Sequence, residues 1–221
     1  LESLTHFFNA FIDSYPIFLK GMWLTLELTV VSILFAIVIG LVFALLKLSN
    51  IKILEWISNI YVYLVRGTPL IVQIFVLFFG ITKLIQMDAF WAASIALAFH
   101  NGAYIAEIFR GSIQSIDRGQ MEAGRSLGMS TSLTMRRIVL PQAFRRALPP
   151  LGNQFIIGLK DSSLAAFISM SELFNIATTL GSAKFDTLTY LLIVAVYYLV
   201  LVLLLTLFVN LIERKLAASE K

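Results

Sequence analysis

Cysteine is absent, and histidine occurs only at His6 and His100. Without thiols there are no disulfides, no thiolate catalysis and no Cys-based metal sites. Two histidines are also too few for a His-ligated metal centre. Charge is equally scarce: 14% of the 221 residues are Asp, Glu, Lys or Arg, against about 25% in soluble domains. Hydrophobic residues make up 59% of the chain, 13% is aromatic, and mean hydropathy is +0.88. These proportions exclude a water-soluble globule, a disordered tail and a basic nucleic-acid-binding domain. Crossing about 30 Å of hydrocarbon takes about 20 apolar residues, so the length accommodates some five spans with short loops and no separate soluble domain. The start, with Glu2 acidic and no Lys or Arg before Lys20, does not have the form of a secretory signal. The first residue is Leu, which fits either trimming or an unusual start.

Five apolar regions follow, at about 21–46, 55–84, 89–106, 147–169 and 187–212. Ahead of them, Leu4, Phe7, Phe8, Phe11, Ile12 and Tyr15 form one apolar stripe opposite His6, Asn9 and Asp13. That stripe predicts a helix lying in the membrane interface or an extension of the first span. The second region is interrupted by Arg66-Gly67-Thr68-Pro69, and the fourth by Lys160-Asp161-Ser162-Ser163. Placing the N-terminus outside puts 13 of the 17 basic residues on the cytoplasmic side, Arg136, Arg137, Arg145 and Arg146 among them. The positive-inside rule therefore predicts an all-α integral membrane protein with five transmembrane helices, N-out/C-in. That four-arginine cluster serves this anchoring and suits anionic membrane lipid.

Small residues recur every four positions in two spans, at Ser32, Ala36, Gly40 and Ala44, and at Ser94, Ala98, Gly102 and Ala106. Such stripes let helix backbones approach where lipid supplies no hydrophobic drive. On the opposite face of the third helix lie His100, Tyr104 and Glu107, the arrangement of a helix lining a cavity.

The polar stretch 110–146 contains Glu122-Ala123-Gly124-Arg125-Ser126-Leu127-Gly128 and, nine residues on, Ile138-Val139-Leu140-Pro141. It predicts a short helix closed by a left-handed Gly128 and a second helix N-capped by Ser130. A rigid cytoplasmic knob of this kind suits docking; an ordinary helical hairpin has the same composition. The pattern resembles the cytoplasmic signature of permease subunits of bacterial ABC importers, matching at Glu122, Ala123, Gly128, Ile138, Leu140 and Pro141. It departs at Gly124, where the family usually has Ala; Gly there loosens a helix by up to about 1 kcal/mol. Arg66–Leu70, Ala103–Glu107, Leu140–Ala143 and Leu159–Leu164 are similar to the polar amino-acid uptake subfamily, and the resemblance covers about residues 21–214.

The resemblance implies a type I ABC importer permease core in the bacterial plasma (inner) membrane. Glu122, Ala123, Gly124, Arg125, Ser126 and Gly128 would form the coupling helix, seated on a separate ABC ATPase dimer. This chain has no phosphate-cradling Gly-x-x-x-x-Gly-Lys-Ser/Thr loop, so ATP and Mg would be held by that partner and no cofactor by this chain. A second permease copy, identical or paralogous, and an extracytoplasmic amino-acid-binding protein are the other implied partners.

Candidates for the substrate path are Asp161, His100, Tyr104, Leu70, Gln73 and Ser162. Asp161 is a natural acceptor for a substrate ammonium, and equally a member of a local pair or cap with Lys160, Ser162 and Ser163. His100 reads as substrate wall or as a tie between helices. Glu107, three residues before Arg110, reads as an i, i+3 ion pair. The Arg66–Pro69 break either lines a cavity or is a kink with Arg66 snorkelling to headgroups. A secondary amino-acid transporter is the alternative function, but it normally carries repeated halves, which this sequence does not show. Nor does it show paired catalytic carboxylates or a nucleophile–base pair for an intramembrane enzyme. A passive channel would be marked by ATP-independent flux.

Overall fold

The computed structural model describes residues 2–81, 85 and 87–218, and every element in that part is helical. Helix α1, Glu2–Lys47, runs unbroken for 46 residues, about 69 Å at 1.5 Å per residue. The 4–15 stripe is therefore the extension of the first span and not a separate interfacial helix. Pro16 lies inside α1 without ending it. Polar side chains along α1 bond back onto their own helix: Ser14 to Ala10 O at 2.6 Å, Thr25 to Gly21 O at 2.9 Å and Thr29 to Thr25 O at 2.7 Å. The N-terminal half is fixed laterally by α9, Thr187–Ala218. Phe11 and Phe18 both stack on Tyr197, at 5.5 and 5.1 Å, and His6 Nε2 meets Asp186 Oδ2 at 2.7 Å. The His6 hydrogen bond, helped by Thr189, holds the Asp186 carboxyl below the usual carboxylate range.

The most extensive helix pairing joins α1 to α4, Ala89–Gln114. Both small-residue stripes lie buried in it. A Cβ added at Gly40 would lie 2.8 Å from Ile105 Cβ and 3.0 Å from Ala106 N, and one at Gly102 would lie 2.9 Å from Ile39 Cγ2. Close backbone approach, with its gain in dispersion contacts, is the physical content of this interface.

Among the described residues, two helices, α1 and α9, are long and apolar enough to cross a membrane alone, and two bent pairs are so when each is taken as one span, which gives up to four of the five expected spans. The first pair is α2, Lys52–Arg66, and α3, Leu70–Ile81, meeting at 103°. The 55–84 region is thus a corner, with residues 82–84 outside the described part. Pro69 disfavours helical backbone at Thr68, and the carbonyls freed by the turn find donors. Gly67 N–H bonds Tyr63 O at 2.9 Å, Thr68 Oγ1 bonds Leu64 O at 2.8 Å, and Gln73 Nε2 bonds Val65 O at 2.8 Å.

The second pair bends by 49°. Helix α7, Leu140–Asp161, tightens into a 3₁₀ segment, Ser162–Ile168, before α8, Leu173–Ala183. Ser162 and Ser163 donate to Leu159 O and Lys160 O, both at 2.7 Å, and Ser169 turns the chain with φ +62°. The fully buried Glu172 caps α8. Its carboxylate accepts from Phe174 N at 2.9 Å, Asn175 N at 2.7 Å and Tyr198 OH at 2.9 Å.

Between α4 and α7 stands a knob. Asp117 N-caps α5, Arg118–Ser126, by accepting from Gly119 N at 2.6 Å. Gly128 ends it at φ +83°, with Met129 N bonded to Gly124 O at 3.1 Å, the six-to-one bond of a Schellman motif. Ser130 then caps α6, Thr131–Thr134. A π turn, Met135–Val139, leads into α7; its wide ring takes up the clash that Pro141 would otherwise make with the carbonyl one turn before it. The knob is seated on its stem by Ile113, Ile116, Val139 and Ala143, with Met121 packed against them. Gly124 is buried, and a Cβ there would lie 2.5 Å from Thr134 Cγ2. The glycine that departs from the family pattern is what lets α5 close onto α6.

Two substitutions test these close approaches. Gly40→Leu should separate α1 from α4 at a cost of about 2–3 kcal/mol, lowering Tm in detergent by about 5–10 °C. Gly111→Ala, where a Cβ meets nothing within 4 Å, should leave Tm unchanged or raise it slightly. Equal behaviour of the two would contradict the packing described. At the knob, Gly124→Ala should loosen α5, seen as faster amide hydrogen exchange over 118–126. The double variant Gly124→Ala/Thr134→Ala should restore slow exchange, because it removes the methyl that clashes. Failure of the second change to compensate would show that Thr134 is not the constraint.

Candidate functional site

Two sites emerge, one on the knob and one at the α2–α3 corner. On α5, Glu122, Ala123, Arg125 and Ser126 are exposed, while Gly124 faces α6 and shapes the knob from within. Arg125 Nη1 bonds Thr131 Oγ1 at 3.0 Å, holding its long side chain across the cap. Leu127, outside the set singled out in the sequence, is 83% exposed at the tip. An apolar side chain held out at the end of a capped helix is suited to burial against an apolar surface. Its signal in the sequence was a leucine directly before the terminating glycine.

At the corner the structure brings together Gln73, His100 and Tyr104. Gln73 Oε1 and His100 Nδ1 are 3.2 Å apart, and the His100 and Tyr104 rings have centroids 5.3 Å apart. His100 is therefore tied to a neighbouring helix. The Arg66 guanidinium lies 4.9 Å over the Tyr104 ring, a cation–π contact, and forms no ion pair among the described residues. It faces a groove of about 860 Å³ that also takes in Asn59, Tyr63, Lys47 and Glu107. Of the corner, Arg66 and Gly67 line this groove, whereas Gln73, His100 and Tyr104 are not in its walls. Glu107 pairs with Arg110 at 2.7 Å, as its spacing predicted, and also with Lys47 on α1 at 2.8 Å.

The other path candidates stand apart from this cluster. Leu70 is buried in an apolar core with Ile74, Ala92 and Ala96. Ser162 is buried and bonds its own helix. Asp161 is half-buried at the junction of α7 and the 3₁₀ segment; it makes no close ion pair or hydrogen bond among the described residues, but the charge of the adjacent Lys160 attracts it. The serines satisfy the helix break by themselves, which leaves the Asp161 carboxylate without a capping duty. Two buried polar links went unread in the sequence: Glu172 with Tyr198, and Asn101 with Gln154 at 2.8 Å. Both join helices distant in the chain, so no local pattern marks them.

Chemically, the corner offers a cation over an aromatic ring and an amide–imidazole pair, and Asp161 lies apart from them. These suit reversible contacts with a small polar molecule; the knob is a separate exposed surface with Leu127 at its tip.

The model of the family described as "Binding-protein-dependent transport system inner membrane component" matches residues 16–218. Among curated relatives, the chain is 37% identical over 215 residues to the arginine transport system permease protein ArtQ of Bacillus subtilis, covering 96% of this chain and 98% of ArtQ. It is 40% identical over 204 residues to the L-cystine transport system permease protein TcyB of the same organism, covering 91% and 87%. To the glutamine transport system permease protein GlnP of Escherichia coli K12 it is 35% identical over 211 residues, covering 94% and 96%. A crystal structure of an amino acid ABC transporter with histidines superposes with TM-score 0.88 at 36% identity, over 94% of this chain and 98% of that one. The inward-facing MetNI methionine ABC transporter shares the fold, with TM-score 0.80 at 22% identity over 92% and 98%. The chain belongs to the binding-protein-dependent transport system inner membrane components, and with its long apolar helices it is a multi-pass protein of the plasma membrane.

Proposed function

We propose that this chain is the permease subunit of an ATP-driven, binding-protein-dependent importer of polar amino acids. The observation that carries the reading is the exposed knob of α5, which carries the matching motif residues Glu122 and Ala123 and ends at the exposed Leu127 and the left-handed Gly128. In this reading the chain crosses the membrane five times, N-out/C-in, through the main part of α1, the α2–α3 corner, α4, α7 and α9. It hydrolyses nothing itself. A separate ABC ATPase dimer binds ATP and Mg and closes on the coupling helices of two permease copies. ATP favours one global arrangement over the other, so its binding and hydrolysis alternate the side on which the path opens.

The relatives act on arginine, cystine and glutamine by name, which supports a polar amino acid delivered by an extracytoplasmic binding protein. Such a substrate carries a carboxylate and an ammonium at once. Arg66, over the Tyr104 ring, suits the first, with Gln73 and His100 beside it; Asp161 suits the second at a separate point of the path along α7. Displacement would travel from knob to path along α4, which carries His100, Tyr104 and Glu107 on the helix that leads into α5.

Three variants separate coupling from substrate contact. Glu122→Lys and Gly128→Asp should each lower uptake by about tenfold or more in proteoliposomes while the spans stay folded, with substrate-stimulated ATP hydrolysis lost in parallel. Normal stimulated hydrolysis and uptake in both would remove α5 from the coupling role. Asp161→Asn should weaken uptake by about tenfold or change amino-acid preference while the complex with the ATPase still forms. Unaltered uptake and preference would return Asp161 to a structural part.

A further inference from the structure

A second cavity lies away from the corner and the knob, between α1, α7 and α9. It holds about 340 Å³, and it runs along α7 from Phe144 past Leu148 to Phe155, with Ile33 of α1 and Leu205 of α9 in its walls. Its lining is apolar except for Glu213. We propose that this groove holds one acyl chain of a membrane phospholipid.

Dimensions argue for that occupant. Phe144 and Phe155 are eleven residues apart on α7, about 16 Å along the axis, which is half of a hydrocarbon core about 30 Å thick. The groove is therefore one leaflet deep. Its volume spread over that length leaves a narrow slot, wide enough for a methylene chain with carbon contacts at about 3.5–4.0 Å. A packing helix, about 10–12 Å across, does not enter it. Polarity sets the direction of the lipid. Charge appears only at the Phe144–Glu213 end, where Arg145, Arg214 and Lys215, next to the lining residues in sequence, are exposed. Basic side chains there suit a phosphate headgroup, and the apolar end at Phe155 and Leu205 suits the methyl terminus. Placing the lipid in the cytoplasmic leaflet rests on the C-in orientation proposed above; the groove and its occupant do not.

The test uses the assembled transporter in nanodiscs of phosphatidylglycerol and phosphatidylethanolamine, doped with a phospholipid bearing a photoactivated diazirine in mid-chain. Peptides are mapped after irradiation. Wild type should label mainly within 144–155 and 205–213. Leu148→Trp and Phe155→Trp fill the slot from two different points, and each should cut that labelling about tenfold. Leu203→Trp, at an exposed position on α9 outside the lining, should change nothing. Should either tryptophan variant fail to stay monodisperse, the other carries the comparison, with Leu148→Phe as a smaller filling. Labelling that ignores the filling variants, or spreads evenly over the exposed face of α9, would overturn the proposal. So would a disulfide between protomers formed by Leu148→Cys, which would give the groove to a second copy. Because labelling needs no ATP and no substrate, its failure is distinguishable from failure of the transport reading.

Discussion

The close approach of α1 and α4 is the constraint on which the remainder depends. In lipid no hydrophobic force drives helices together, so this pairing is built from glycine, alanine and serine that let two backbones nearly touch. Gly40 meets Ile105 and Ala106, and Gly102 meets Ile39. Tyr61 of α2 is drawn in as well, donating to Phe99 O at 2.7 Å and stacking on Phe43 at 3.9 Å. With α4 fixed on this spine, its opposite face turns His100 and Tyr104 to the corner, and its far end delivers the chain to the knob.

The features legible in the sequence are those set by local chemistry. Gly128 as a left-handed stop, Ser130 as an N-cap and the Glu107–Arg110 pair depend on residues within one turn, and all appear in the structure. The two small stripes were legible because their period is that of the helix itself. Long-range geometry was not. That the 66–69 break makes a 103° corner depends on Gln73 reaching back over it, and that Lys47 joins Glu107 depends on a partner 60 residues away. The 4–15 stripe looked interfacial because its outer face carries His6, Asn9 and Asp13. Tertiary contacts with Tyr197 and Asp186 decide instead that α1 continues straight through.

Gly124 shows how a departure from a family pattern acquires a reason only in three dimensions. By propensity alone it weakens α5. In the structure its missing methyl makes room for Thr134, and α5 and α6 lock together as one body. A rigid knob transmits displacement; a loose one would absorb it. The stem beneath it, Ile113, Ile116, Val139 and Ala143, belongs to the end of α4, the turn that follows it, the π turn and the start of α7. A force on α5 therefore reaches both helices at once.

The most direct measurement is uptake by proteoliposomes holding this chain, its ATPase and the cognate binding protein, with radiolabelled polar amino acids outside. The account predicts uptake of one chemical class that requires ATP inside and survives collapse of proton and sodium gradients. Uptake that ignores ATP and vanishes with an ion gradient would contradict it, and would make the protein a secondary transporter.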